Sequence, residues 1–314
     1  MIRGFVLESP VWKVLRQESR DTVTIDLFRY DPTKEAKPRR EAHEIPFCKG
    51  MSILHVLKYV HDNIDDSLAF RYSCENELCG LCGVFVNGKP VLACREELIS
   101  NPTVIDPLPG FPVIRDLAVD TSRLEGKMEQ LFFGIHKPKK EVSRMLPLSA
   151  IHANNMTACI ECHICDTVCN AAKFSSEKFV QPEGIVKLIN FLPFPCNRKE
   201  KEAIYERLYY CTLCWECTEV CPRDVQITDF VLALRNFATK KGYFPAPFKR
   251  IVKSLFVTGH EFPFTGFTSK LRGQLCLSEK PQLAINVPQA LEEVQRLMKL
   301  VGASHLLEST EVKD

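Results

Sequence analysis

The chain has 314 residues, 45% of them hydrophobic, with 41 Lys and Arg against 39 Asp and Glu and a net charge of +2. That length supports about two domains with ordinary cores, and the charge balance excludes a protein organised by global electrostatics around nucleic acid or an anionic membrane. The composition is globular, so a disordered chain is excluded as well. Arg3, Glu8 and Pro10 interrupt the N-terminal segment, which offers no apolar stretch suited to export. No run approaches the roughly 20 apolar residues of a spanning helix. The expectation is a cytoplasmic protein that reaches a membrane only through partners or an amphipathic face.

In chain order, Thr22 to Arg29 alternates, with Val23, Ile25 and Leu27 on one side, as a half-buried strand does. Asp31 to Arg40 reads as a polar loop. Met51 to Asn63 carries Ile53, Leu54, Leu57 and Val60 at helical spacing, with Ser52 as N-cap. Gly83 to Cys94 is a hairpin turned by Asn87-Gly88. These elements make a first domain over 1–120. A polar bridge follows, with Met128, Leu131, Phe132 and Phe133 suggesting a short helix. Glu183 to Leu192, Lys199 to Tyr210 and Gln226 to Lys241 then show helical periodicity, giving a mainly α second domain over 121–242. Pro245 and Pro247 mark its end. The tail, 243–314, holds a basic amphipathic segment, Phe248 to Phe256, and a stripe of Ala290, Leu291, Val294, Leu297 and Met298, a docking or core face.

Fifteen cysteines dominate the chemistry, and twelve fall into three patterns. Cys74, Cys79, Cys82 and Cys94 are separated by four, two and eleven residues, the plant-type [2Fe-2S] spacing. Gly80 and Gly83 sit beside these ligands, where a loop wrapping a cluster needs permissive backbone. Cys159, Cys162, Cys165 and Cys169 form one CxxCxxCxxxC run, and Cys211, Cys214, Cys217 and Cys221, followed by Pro222, form another. In such dicluster runs three close cysteines hold one cubane and the fourth ligates its neighbour. The pairing is therefore crossed: Cys159, Cys162, Cys165 and Cys221 for one [4Fe-4S] cluster, Cys169, Cys211, Cys214 and Cys217 for the other. Each crossing closes a long loop, so the helical domain is expected not to fold without iron.

Zinc also accepts CxxC pairs, but it draws two plus two ligands from separated pairs, whereas three cysteines in seven residues, twice, suit a cubane. Cys48, Cys196 and Cys276 lie outside the patterns and read as small buried hydrophobes. His163 is a polar residue near a cluster or a tuner of it. The basic Phe248 to Phe256 segment fits a solvated helix with an apolar docking face better than a membrane-lying one. No GxGxxG turn occurs, so no Rossmann nucleotide site is expected on this chain.

Three clusters without a nucleotide site, a nucleophile or an acid/base set describe an electron conduit with no catalytic residues of its own. The order of motifs resembles the iron–sulfur subunit of the succinate dehydrogenase and fumarate reductase family over about 20–240, carried by Leu27-Phe28-Arg29-Tyr30-Asp31-Pro32, Asn87-Gly88, the cysteine patterns and Cys221-Pro222. The resemblance implies an α+β architecture: an N-terminal β-grasp plant-type ferredoxin domain, an all-α bacterial-type dicluster ferredoxin domain and a helical C-terminal tail. It also implies an FAD-bearing flavoprotein partner that oxidises succinate or reduces fumarate, with the [2Fe-2S] cluster nearest the flavin.

Departures from the quinone-linked members refine this. They carry a non-cysteine where this chain has Cys214, and a proline, a tryptophan and a histidine where it has Asn170, the Ala171 to Phe174 stretch and Thr212. A full cubane set with a longer tail is similar to the variants whose last subunit resembles heterodisulfide reductase, linked to thiols or methylmenaquinol, with Lys249 to Leu307 as docking arm. Other readings are a free-standing three-cluster carrier, a conduit for a different flavin-dependent oxidoreductase, and purely structural clusters of a nucleic-acid enzyme. The long tail disfavours the first, and the near-neutral charge disfavours the last.

Overall fold

The computed structural model describes residues 21–122, 156–174, 179–191, 205–240, 243–261, 266–278 and 289–303. The chain forms two compact units, 1–234 and 235–314. The short helix expected near Met128, Cys196 and the start of the Lys199 helix fall outside the described residues; 205–208 is helical.

The first unit opens with a five-stranded sheet of β1 (Thr22–Arg29), β2 (Arg39–Pro46), β3 (Gly83–Val86), β4 (Lys89–Leu92) and β5 (Thr103–Asp106), in the order β2-β1-β5-β3-β4. Only the β1 and β5 pair is parallel. A parallel pair needs a crossover, and helix α1 (Ile53–Asn63) lies in that connection, with Ile53, Leu54, Val56, Leu57 and Val60 buried. Ser52 caps it: its Oγ accepts from the His55 backbone N–H, and His55 Nδ1 accepts from the Ser52 backbone N–H, a reciprocal cap that satisfies two orphan donors. Inward-facing Val23, Ile25 and Leu27 of β1 meet this helix in one core.

The strand β2 corrects the expected polar loop, which ran through Arg40. Its sequence, RREAHEIP, shows no apolar alternation, yet it pairs with β1 at every position as an edge strand whose charged side chains face solvent and each other. A short ribbon of β6 (Val113–Arg115) and β7 (Ala118–Val119) closes the domain.

The other described elements of the first unit are helices: α2 (Ile164–Val168), α3 (Asn170–Phe174), α4 (Pro182–Phe191), α5 (Glu216–Glu219) and the start of α6 (Ile227–Lys240). Ile164 belongs to the core of the sheet domain, and Ile160, Cys162 and Val220 pack on it. The second unit contains α7 (Ala246–Thr258), α8 (Gly266–Gln274) and α9 (Ala290–Leu300). Pro245, expected to end a domain, serves as the N-cap residue of α7, with Pro247 in its first turn. Within this unit Gln295 Nε2 on α9 donates to the Phe256 carbonyl at 2.9 Å. The α9 stripe divides, with Met298 buried and Leu297 half exposed.

Candidate metal centres

Cys74, Cys79 and Cys82 stand on the loop between α1 and β3. Glu75, Glu77 and Gly80 take left-handed conformations there, at φ 56°, 57° and 72°, and the loop turns its N–H groups towards sulfur. Cys74 Sγ accepts from the backbone N–H of Asn76, Leu78 and Cys79 at 3.4, 3.2 and 3.3 Å. Led by the Asn76 and Leu78 donors, these bonds bring the Cys74 thiol down to about 7. Burial pushes the neighbouring Cys82 up to about 12. Cys94 arrives by hairpin register: Gly83 pairs with Leu92, and Ala93 N–H donates to the Cys82 carbonyl at 2.9 Å. The start of α1 holds this return in place, since Leu54 N–H donates to the Ala93 carbonyl at 2.7 Å.

The helical part brings the eight cysteines of its two runs together in two groups. Cys159, Cys162, Cys165 and Cys221 line one small cavity with Ile160, Val225 and Ile227. Cys169, Cys211, Cys214 and Cys217 line a second with Phe179, Ile185 and Val231. Each cavity thus takes three cysteines from one run and the fourth from the other. Both runs bend in the same way, because the second and fourth residues after the first cysteine are left-handed: Glu161 (φ 54°) and His163 (φ 59°), then Leu213 (φ 57°) and Trp215 (φ 69°). Such conformations cost non-glycine residues of order 1–3 kcal/mol each. At Leu213 the bend comes with an N–H donated to Cys211 Sγ at 3.4 Å, and after left-handed Asp224 (φ 52°) the Val225 N–H meets Cys221 Sγ at 3.4 Å.

Burial raises Cys159 to about 11 and Cys162 and Cys169 to about 12, and it raises Cys165 and Cys217 as well. Thiols so placed ionise when iron compensates the charge, with the inward N–H groups supporting the sulfur. Four thiols converging on each small cavity fit iron–sulfur clusters; His163 and Glu183 also border the first cavity but are engaged with Asp166 and Lys187. Cys214 is the exposed member of its group.

A charged network that sequence reading did not find flanks the first cavity. His163 Nδ1 lies 3.0 Å from Asp166 Oδ2 and its ring meets Phe111 edge-on at 5.7 Å. Asp166 Oδ1 accepts the Glu183 N–H at 3.0 Å. Burial raises the Glu183 carboxyl above its ordinary value, and Lys187 Nζ answers it at 2.7 Å while reaching Glu161 at 3.0 Å. The sequence signals were His163 inside the first CxxCxxCxxxC run and the acid at the start of a predicted helix. Of the unassigned cysteines, Cys48 is half-buried. Cys276 is exposed in a turn after α8, which corrects the expectation of a buried hydrophobe: Leu275 and Leu277 beside it are exposed too.

Comparison with known proteins agrees with this geometry. Residues 24–126 match a 2Fe-2S iron-sulfur cluster binding domain and residues 155–225 a 4Fe-4S dicluster domain. The iron-sulfur subunit of fumarate reductase from Wolinella succinogenes is 30% identical over 68% of this chain and 96% of its own length. Its counterpart from Mycobacterium tuberculosis is 30% identical over 72% of this chain and 98% of its own length. A subunit of the CoM/CoB fumarate reductase of Methanothermobacter marburgensis is 32% identical over 74% of this chain, which spans 48% of that longer protein. The Sdh1 complex of Mycobacterium smegmatis in the apo form contains a chain with the same fold, at TM-score 0.59 and 24% identity, covering 72% of this chain and 98% of that one. Among the described residues no helix is long and apolar enough to cross a membrane. The cofactors of the chain are one [2Fe-2S] and two [4Fe-4S] clusters, and the chain belongs to the family of iron–sulfur subunits of succinate dehydrogenase and fumarate reductase.

Proposed function

We propose that this chain is the electron-transfer subunit of a succinate dehydrogenase or fumarate reductase complex, standing between an FAD-bearing flavoprotein subunit and a heterodisulfide-reductase-like or membrane-anchor subunit. Cys74, Cys79, Cys82 and Cys94 hold the [2Fe-2S] cluster. Cys159, Cys162, Cys165 and Cys221 hold the first [4Fe-4S] cluster, and Cys169, Cys211, Cys214 and Cys217 the second. Bound there, the clusters supply one-electron transfer. The residues of this chain fix their places, bury Cys82, Cys165, Cys169 and Cys217 and aim N–H groups at sulfur. One observation carries the reading: the three cysteine groups follow one another without a gap. The Cys79 to Cys82 loop touches the backbone of 160–162, and Ile227 lines both cubane cavities.

Both ends of this series expose large apolar side chains, at the [2Fe-2S] end among exposed Arg71, Glu75 and Asn76. Tyr72, Leu78 and Leu81 are exposed around the [2Fe-2S] loop, and Phe174 and Trp215 around the second cubane, beside exposed Cys214. The first patch is the flavoprotein face and the second the face for the next redox subunit. The domains are 1–120, a β-grasp ferredoxin domain; 121–242, an all-α dicluster domain; and 243–314, a docking extension. The sheet order with its one parallel pair supports the β-grasp reading.

A full cubane set, with Asn170 and Thr212 in place of quinone-site residues, supports a thiol- or methylmenaquinol-linked partner, as does similarity to a CoM/CoB fumarate reductase. The complex then sits at the cytoplasmic face of the membrane through its partners. Anaerobic purification of the native complex with mass-spectrometric subunit identification tests this. A flavoprotein with succinate–fumarate activity and a heterodisulfide-reductase-like subunit are expected. A conventional cytochrome b anchor would overturn the choice of partner, and a lone monomer serving unrelated enzymes would overturn the complex.

A further inference from the structure

Two glycines flank the [2Fe-2S] cysteines where a second loop presses on them. Gly80, at φ 72°, has its absent Cβ position 2.2 Å from the Ile160 carbonyl oxygen, 3.1 Å from Cys162 N and 3.2 Å from Cys162 Cα. At Gly83 the corresponding position lies 3.3 Å from the Cys162 carbonyl oxygen and 2.9 Å from Leu108 Cδ1. Gly50, Gly88 and Gly110 also have positive φ, but nothing lies within 4 Å of their Cβ positions. Turn conformation therefore accounts for those three, whereas Gly80 is held to glycine by a neighbour as well. That neighbour is backbone, which cannot swing aside as a side chain can, and it joins Cys159 to Cys162. A third contact closes the same seam: Arg95 Nη1 donates to the Pro222 carbonyl at 2.8 Å. Arg95 directly follows Cys94, and Pro222 directly follows Cys221.

We infer that Gly80, Gly83 and Arg95 are positioning residues that set the separation between the [2Fe-2S] cysteine loop and the first [4Fe-4S] cysteine group, the glycines by allowing backbone contact and the arginine by latching the two last ligands' neighbours together. The inference rests on the ligand assignments proposed above. None of the three residues touches sulfur through its side chain, and none is needed to complete a cysteine group. Their effect is on spacing, and one-electron exchange between fixed centres weakens steeply as spacing grows. The packing supports the seam from behind, since Ile160, Cys162 and Val220 rest on the core of the sheet domain.

The test uses the intact complex with Gly80→Ala, Arg95→Met and, as a control for strain at positive φ in open space, Gly88→Ala. Iron and sulfide content is measured first, then the EPR relaxation of the reduced [2Fe-2S] signal beside the reduced, paramagnetic [4Fe-4S] cluster. Gly80→Ala and Arg95→Met are expected to keep all three clusters, lose part of the relaxation enhancement and slow electron passage between the two centres several-fold. Gly88→Ala is expected to match the parent. Parent-like relaxation in Gly80→Ala overturns the role of the glycine. If Gly80→Ala fails to assemble its cluster, Arg95→Met decides, because Arg95 is a half-exposed side chain: unchanged relaxation there overturns the seam. A parent protein lacking either cluster signal would instead defeat the ligand assignments, whatever the variants do.

Discussion

Arg29 and Asp116, 87 residues apart in sequence, form a buried ion pair with Nε 3.1 Å from Oδ1. Arg29 occupies the inward side of β1, where the alternation of Val23, Ile25 and Leu27 would otherwise place a fourth apolar residue. Its guanidinium also meets Glu41, Asp65 and Ser67. Asp116, in the turn between β6 and β7, accepts two further N–H bonds, from Tyr30 at 3.0 Å and Ala69 at 2.9 Å. The pair ties the first strand to the last ribbon. Removing one partner leaves a buried charge uncompensated, so Arg29→Met is expected to destabilise the sheet domain by about 3–5 kcal/mol. The bleaching of [2Fe-2S] absorbance on heating should occur well below the parent's temperature; an unchanged transition would show that the pair is dispensable.

The same cluster sets an acid limit. Hydrogen bonds from Ser67, and then the guanidinium of Arg29, hold the Asp65 carboxyl well below the usual carboxylate range. A carboxyl depressed in the folded state stabilises above its unfolded value, about 3.9, and that stabilisation is lost as pH falls from there through the folded value. Asp65→Asn should therefore melt below the parent at pH 7, with the gap closing as the buffer drops under about pH 4. A gap independent of pH would show that the carboxylate charge contributes nothing.

Cys214 is the exposed cysteine of the second group, so substitution there disturbs one cluster with little change in packing. Cys214→Ser is expected to convert that cubane to [3Fe-4S] or to lose it, while the [2Fe-2S] signal stays intact. An EPR spectrum identical to the parent's would remove Cys214 from the ligand set.

Each cubane joins the run at 159–169 to the run at 211–221, so iron closes loops that buried apolar side chains alone do not secure. Chelation of iron under reducing conditions is expected to abolish protection against hydrogen exchange in α2 and α5 and to restore it on reconstitution. Retained protection in the iron-free chain would mean that the helical part folds on its own core.

Much of this was legible in the residues. The alternation of β1, the Ser52 cap and Asn87-Gly88 located the sheet domain, because each is a local preference that tertiary contacts reinforce; Asn87 and Gly88 do take positive φ, at 48° and 84°. The cysteine spacings grouped the ligand candidates for the same reason. Two strands of the five-stranded sheet were not legible, nor was the β6–β7 ribbon. The sequence of β2 is mostly charged side chains engaged with β1 and with each other, and β5 is four residues whose identity comes only from lying between β1 and β3. The left-handed Glu161, Leu213 and Trp215 were hidden as well, since none of these residue types advertises positive φ, and His163 carries only a weak preference for it. Nor could sequence show that Asp166, Glu183 and Lys187 converge near the first cubane, a contact made by folding α4 back on α2.

The most direct test of the central claim is low-temperature EPR on the native complex, oxidised and then stepwise reduced. The account predicts no [3Fe-4S] signal in the oxidised sample and, on stepwise reduction, one [2Fe-2S] and two [4Fe-4S] centres, all reversible. A [3Fe-4S] signal in the oxidised, undamaged complex, or fewer than three reversible centres, would contradict it.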